Sequence, residues 1–241
     1  MPSGPIEQAA MPTSARHLAR RPLLATLAAL ATSGLRLAPA WAEDPKFFRI
    51  GTGAVNGTYY PVGELIASVI STPPGAPRCD QAGGCGVADL IAIVQTSKGS
   101  VENVAGIEEG RIESGFVQSD VAFGAFTGSG IFAGREPMQT LRALASLYLE
   151  SVHLVARSGA GIKTVADLRG KRVSLDVEGS GTLVEARQIL DAFGLSPARI
   201  EPVYAPLGRS IDLMVAGELD ALFLVAGYPA TAVSEITRAA G

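Results

Sequence analysis

Ile50-Gly51-Thr52-Gly53-Ala54-Val55-Asn56-Gly57-Thr58-Tyr59-Tyr60-Pro61 is a glycine-rich turn between two elements of different periodicity. Before it, the apolar and aromatic run Phe47-Phe48-Arg49-Ile50 reads as a strand. After it, Val62, Leu65, Ile66, Val69 and Ile70 recur at helical spacing. A strand, glycine turn and helix in this order aim the unpaired N–H groups and the positive dipole end of the helix at one point. An anion can sit there, and the point suits one end of a small carboxylate ligand. Thr58, Tyr59 and Tyr60 place three hydroxyls near the helix start.

The same unit recurs further along the chain. Leu90–Thr96 reads as a strand, Ser100–Gly110 as a short helix with Ser100 and Asn103 as an imperfect capping box, and Ile112–Val117 as a strand ending at Gln118-Ser119-Asp120. A helix follows over Val121–Phe126. Leu141–Tyr148 and Ser151–Ala156 are two extended runs that read as strands leaving the first lobe. Arg172–Asp176 is then a strand, Gly179-Ser180-Gly181-Thr182 a second glycine turn, and Leu183–Phe193 a helix with Gly194 at its C′ position. Glu201–Tyr204 and Leu219–Val225 read as strands, with a helix over Gly208–Ala216 between them and a terminal helix after them. Alternating strands and helices predict parallel α/β sheets. Because the pattern runs twice, the expected fold is two-lobed α/β: residues 43–142 as the first lobe, 143–157 as a hinge, 158–241 as the second lobe, and a cleft between them. Ligands of open parallel sheets bind at the carboxyl ends of strands, where both glycine turns and Gln118-Ser119-Asp120 lie.

Composition narrows the function. Hydrophobic residues make up 47% and charged residues 18%, which supports a packed core. A net charge of -3 gives no basic footprint for nucleic acid. His17 and His153 are the only histidines, and Cys79 and Cys85 the only cysteines. A His/Cys metal site or a Ser-His-Asp triad therefore has very few candidates, and neither a metal nor a cofactor is expected. Arg16, Arg20 and Arg21 precede the apolar run Leu23–Ala31, and Ala40-Trp41-Ala42 follows. These are the three parts of an export signal over residues 1–42, with cleavage expected after Ala42 and a periplasmic product. The run is broken by Ser33, Gly34 and Arg36 and is short for a membrane anchor. In an oxidising compartment, Cys79 and Cys85, which flank a Gly-rich loop, are expected to form a disulfide.

Competing readings of the motifs are weaker. Gly51-x-Gly53-x-x-x-Gly57 is one residue too long for a dinucleotide fingerprint, and an exported protein meets little dinucleotide. The Gly-Lys-Ser/Thr ending of a P-loop is missing. The plainest alternative is a tight bend with no ligand. Asp120 and Asp176 could pair as acids for hydrolysis, or each could cap a helix. His153 lies on an apolar run and reads as structural, and Arg209 reads as a solvated surface residue. No nucleophile has a base at a recognisable spacing, so no catalytic residue is assigned and the chain does not read as an enzyme.

Taken together, Ile50-Gly51-Thr52-Gly53 with Gly57-Thr58-Tyr59-Tyr60-Pro61-Val62-Gly63, Gly99-Ser100-Val101-Glu102-Asn103, Gly115-Phe116-Val117-Gln118-Ser119-Asp120, Leu168-Arg169-Gly170-Lys171-Arg172-Val173 and Gly179-Ser180-Gly181-Thr182 resemble TAXI-family solute-binding proteins of TRAP transporters. The resemblance covers residues 46–230. It implies a two-lobed periplasmic binding protein, a monomer, that closes on a small organic acid such as a glutamate-like amino acid or a dicarboxylate. Its partners would be the membrane subunits of a TRAP transporter. By match, the ligand shell would draw on Gly53, Gly57, Thr58, Tyr59, Gln118, Ser119, Asp120, Ser180, Gly181, Thr182 and Tyr228. Asn56, where the family has a smaller residue, adds an amide to that shell. The resemblance also implies further strands returning to the first lobe, roughly a quarter to a third of a usual chain, so the second lobe is expected to be incomplete. Two other functions stay open at this point: an enzyme on the same scaffold, and a ligand-binding partner of a membrane sensor.

Overall fold

A computed structural model describes residues 45–76 and 86–239. The export signal with its cleavage site, and the Cys79–Cys85 pair, lie outside the described residues.

Two sheets organise the chain. The first contains β1 (Lys46–Gly51), β2 (Ser71–Thr72), β3 (Val87–Ala88), β4 (Leu90–Gln95) and β5 (Ser114–Gly115), in the order β3-β2-β4-β1-β5. The second contains β6 (Glu150–Ala156), β7 (Arg172–Ser174), β8 (Glu201–Val203) and β9 (Ala221–Gly227), in the order β6-β9-β7-β8. The fold is therefore two-lobed α/β.

In the first lobe, β1 and β4 run parallel, with Lys46 opposite Leu90 and Gly51 opposite Gln95. Helix α1 (Tyr59–Ile70) makes the crossover and packs Val62, Ile66 and Ile70 against Ile50, Ala92, Val94 and Phe116. It begins three residues before the start expected from periodicity. Pro61 is the reason: in a first turn no intrahelical N–H is needed, so a proline there does not delay the helix. Helices α2 (Ser100–Glu108) and α3 (Ser119–Thr127) share a second cluster around Val104, Val121, Ala125 and Phe132.

In the second lobe, β9 is buried along almost its whole length and alternates between two cores. Ala221 and Phe223 face Leu168, Val173, Leu183 and Leu190 of one layer. Leu222, Leu224 and Ala226 face Leu207, Met214 and Ile236 of the other. Helix α4 (Gly181–Ala192) covers the first face, and α5 (Leu207–Val215) with α6 (Thr231–Ala239) the second. Period-two burial on both faces is what a central strand of a three-layer α/β unit requires.

Three expectations need correction. The sheets are not wholly parallel: β6 runs antiparallel to β9, and β2 antiparallel to β4. β6 and β9 are not consecutive in the chain, since β7, α4, β8 and α5 lie between them, so no single strand–helix–strand crossover, the connection that imposes parallel pairing, sets their direction. Of the two runs read as strands leaving the first lobe, only the second pairs: Leu141–Tyr148 takes no sheet partner among the described residues, and Leu144 is 80% exposed. Finally, Ser100 and Asn103 form no capping box. Gly99 precedes the helix with a φ of 119°, a conformation L side chains rarely adopt. The Asn103 amide instead donates to the carbonyls of Thr52 at 2.7 Å and Phe116 at 2.8 Å, tying the ends of β1 and β5 together.

No helix among the described residues is long and apolar enough to cross a membrane.

Candidate functional site

Five helices begin at one cavity. Its wall takes Thr58 and Tyr59 from the start of α1, Gly99 and Ser100 from α2, and Gln118 from the residue before α3. From the second lobe it takes Ser180, Gly181 and Thr182 at the start of α4, and Pro206 and Leu207 at the start of α5. The cavity is about 150 Å³, the size of void that accepts one six-membered ring. Each helix start brings first-turn amides without intrahelical partners and the positive end of its dipole.

The glycine turns let the lobes approach this closely. A Cβ on Gly181 would lie 1.5 Å from Oε1 of Gln118, so Gln118 of the first lobe rests directly on the backbone at the start of α4. Gly179 has a φ of 97°, and its carbonyl accepts the Glu102 N–H across the cleft at 3.0 Å. The Ser180 hydroxyl caps α4 by accepting the Leu183 N–H at 3.0 Å.

Tyr59, Ser100, Gln118 and Glu150 form one hydrogen-bonded network, and the other wall hydroxyls are bonded separately. Ser100 Oγ accepts the Gln118 N–H at 3.0 Å, and the Tyr59 hydroxyl lies 3.4 Å from it. The Tyr59 hydroxyl donates to Glu150 Oε2 at 2.8 Å, and its ring stacks on Phe116 with centroids 5.1 Å apart. Thr58 Oγ1 accepts the Gly227 N–H at 3.1 Å, and Thr182 Oγ1 the Val225 N–H at 3.2 Å. Ser174 and Ser210 lie with their hydroxyl oxygens 2.7 Å apart on the second-lobe wall.

The ionisable wall residues besides Tyr59 are Glu150, Asp176 and Lys98. Burial raises the Glu150 carboxyl above the usual range, the Tyr59 hydrogen bond opposes this, and the negative charges of Asp120 and Glu185 add to it. Burial also pushes Asp176 up to about 6, against hydrogen bonds from the Val177 N–H and the Ser180 hydroxyl. Asp176 has a φ of 67°, the left-handed region, which Asp and Asn enter more readily than other non-glycine residues. Burial first, and then the Glu150 carboxylate, raise the Tyr59 phenol, so it stays a donor.

The sequence-predicted shell is partly assembled here. Gly53, Gly57, Thr58, Tyr59, Gln118, Ser180, Gly181 and Thr182 line the cavity. Asn56, Ser119, Asp120 and Tyr228 do not, and Tyr228 is 86% exposed. Asp120, in the first turn of α3, lies on the wall of a separate recess with Val121 and Phe123, so it and Asp176 share no cavity. Arg209 is exposed and off the wall, and His153 lies within β6 with Nε2 buried and unpartnered. Sequence reasoning missed Lys98, Glu150, Ser174 and Ser210. Glu150 had one available signal: a lone acid between two extended apolar runs, Leu141–Leu149 and Ser151–Ala156. Among the described residues no group of three or more His, Cys, Asp and Glu side chains could hold a metal ion.

Residues 50–240 match the NMT1-like family, and the chain belongs to that family. Among solved structures, a Bordetella bronchiseptica RB50 protein is similar at 17% identity, over 81% of this chain and 54% of that one, with a TM-score of 0.52. The alkanesulfonate-binding protein SsuA from Xanthomonas axonopodis pv. citri, bound to MOPS, is similar at 19% identity over 78% of this chain and 56% of its own, with a TM-score of 0.46. The arginine-bound form of truncated ArgBP from T. maritima is similar at 15% identity over 80% and 78%, with a TM-score of 0.44. The chain thus spans little more than half the length of the first two proteins.

Proposed function

We propose that this member of the NMT1-like family is an exported solute-binding protein that captures a small organic acid, a glutamate-like amino acid or a dicarboxylate, in the cavity between its lobes. It would deliver the ligand in the periplasm to the membrane subunits of a TRAP-type transporter, as the TAXI resemblance implies. The observation that carries the reading is the convergence of five helix starts on one cavity of ligand size. Partial positive charge from all of them falls on the same space, and a carboxylate is the charge that gains from it. The hydroxyls of Thr58 on one lobe and Thr182 on the other accept backbone N–H groups and keep their own protons to donate, so a ligand touching both walls would favour the closed arrangement. Binding proteins for a sulfonate and for arginine are among the structures this fold is similar to. An expected set of acids, glutamate, 2-oxoglutarate, succinate and fumarate, can be titrated into the purified chain by calorimetry. Saturable heat from at least one of them is expected. Absence of heat from all four, in a sample with a cooperative melt, would remove the carboxylate reading.

A further inference from the structure

We infer that Asp120 and Glu185 form a proton-dependent latch between the lobes, which holds the cleft shut in acid and loosens toward neutral pH. The latch acts on closure itself, so it operates whatever ligand the cavity takes.

The contact is built by two helices from different lobes. Val184 of α4 is buried in a cluster with Val104, Val121, Ala125 and Phe132, all of the first lobe. Asp120 directly precedes Val121 in the first turn of α3, and Glu185 directly follows Val184 on α4. Asp120, Val121 and Val184 line one recess, together with Gln188 one turn further along α4. The two carboxyls therefore flank the same interlobe contact, and opening the cleft would separate them.

The charges around the pair give it no base. No salt bridge reaches Asp120, Glu185 or Glu150 among the described residues. Arg187, two residues beyond Glu185, has its guanidinium 4.0 Å from Glu178. Lys98, on the neighbouring cavity wall, is exposed. Glu150 at the start of β6 is a third acid: it feels the charges of both Asp120 and Glu185, and its Oε2 accepts the Tyr59 hydroxyl. Burial, then the charge of Asp120, then a hydrogen bond with Asp120 raise the Glu185 carboxyl above its ordinary range. Two carboxylates this close repel, whereas one proton shared between them turns the repulsion into a hydrogen bond. The closed arrangement thus holds that proton more tightly than the open one. Its advantage is full below the ordinary glutamate value near pH 4.3 and is lost as the pH rises through the raised range of the pair.

The Glu102 amide reports closure without any ligand. It is a first-turn N–H of α2 with no intrahelical acceptor, and its partner is the Gly179 carbonyl of the other lobe at 3.0 Å. Hydrogen exchange of this amide in the purified, ligand-free chain, corrected for the intrinsic pH dependence of exchange, measures opening. Protection should fall about threefold to tenfold between about pH 5 and pH 7.5, the scale of one charge-assisted hydrogen bond partly screened by solvent. Asp120→Asn and Glu185→Gln each supply an amide donor at every pH, so each should keep at pH 7.5 the protection it has at pH 5. Neither residue is fully buried, so both variants should fold, and if one melts early the other decides. The radius of gyration from small-angle scattering should follow the same pattern and rise with pH in the wild type alone. Wild-type protection that does not change with pH, or a fall of the same size in either folded variant, would overturn the latch and leave the carboxylate reading untouched.

Discussion

Glu150 and Gly227 face each other across the β6–β9 pair, and each is tied to one of two consecutive residues of the first-lobe turn. Glu150 accepts the Tyr59 hydroxyl, and Gly227 donates its N–H to Thr58 Oγ1. The glycine-rich turn is thus fastened to the second sheet at one rung of its ladder. Since Thr58, Tyr59 and Glu150 all line the cavity, this fastening is also part of the cavity wall.

Tyr59→Phe removes the donor and keeps the ring on Phe116. It leaves a half-buried carboxyl without its partner, so the expected cost is about 1 to 2 kcal/mol of stability. Ligand affinity should fall several-fold because the closed arrangement loses one of its ties. Urea denaturation and calorimetry would check both, and unchanged affinity would mean that the hydrogen bond plays no part in closure.

Gly181→Ala puts a methyl group onto Gln118 Oε1 and 2.9 Å from Ser100 Oγ. Overpacking of this kind costs about 1 to 3 kcal/mol. Here the strain lies between lobes, so it should appear chiefly as weaker ligand binding. Gln118→Ala should relieve it. A double-mutant cycle in binding is expected to give a coupling of about 1 kcal/mol or more, and strict additivity would separate the two residues.

The main elements were legible because their patterns are local. The continuous apolar run of β9 and the apolar stripes of α1 and α4 follow from residues a few positions apart. Both glycine turns were readable for the same reason. Glu150 was not, since its meaning depends on Tyr59, 91 residues away in sequence. Asp120 was misplaced for a related reason. It follows Gln118 closely in sequence, but the first turn of α3 rotates it to the recess beside Phe123 while Gln118 faces the cavity. The unpaired run at Leu141–Tyr148 shows a further limit: an extended apolar stretch carries strand propensity, but pairing depends on a neighbour elsewhere in the chain.

Asn103 sets the spacing of the first-lobe site. Its amide bridges Thr52 and Phe116, and a Cβ on Gly51 or Gly115 would strike it, at 2.5 Å from its Oδ1 and 2.9 Å from its Cβ. The two glycines therefore make room for Asn103. Asn103→Leu keeps the volume and deletes the donors, leaving the Phe116 carbonyl without its partner while the Thr52 carbonyl keeps the Ser97 hydroxyl. A loss of about 1 to 3 kcal/mol is expected, readable as an earlier melt, whereas Val101→Ala on the same helix should cost less because Val101 is only partly buried.

Acid and base limbs of stability should separate in the second lobe. Asp220 takes hydrogen bonds from Arg172 Nε at 3.0 Å and Nη2 at 2.7 Å, and from Arg157 Nη2 at 2.9 Å, which hold its carboxyl well below the usual range. Its contribution is present above the unfolded carboxylate range near pH 4 and is lost as the pH falls below it. Asp176 acts with the opposite sign. Its folded value near 6 exceeds the model-peptide value, so its contribution is full below about pH 4 and is lost as the pH rises through about 6. The shift corresponds to at most about 3 kcal/mol. Glu150 and Glu185 are raised as well and push the same way. Stability of the ligand-free chain should therefore peak near pH 4 to 5 and decline toward neutrality. Asp176→Asn, which keeps a side chain that tolerates the left-handed conformation, should flatten that decline without altering the acid limb. Asp220→Asn should weaken the acid limb and cost about 2 to 3 kcal/mol at neutral pH. Urea midpoints measured from about pH 2 to 8 would test both, and an identical neutral limb in wild type and Asp176→Asn would show that Asp176 is ionised without penalty.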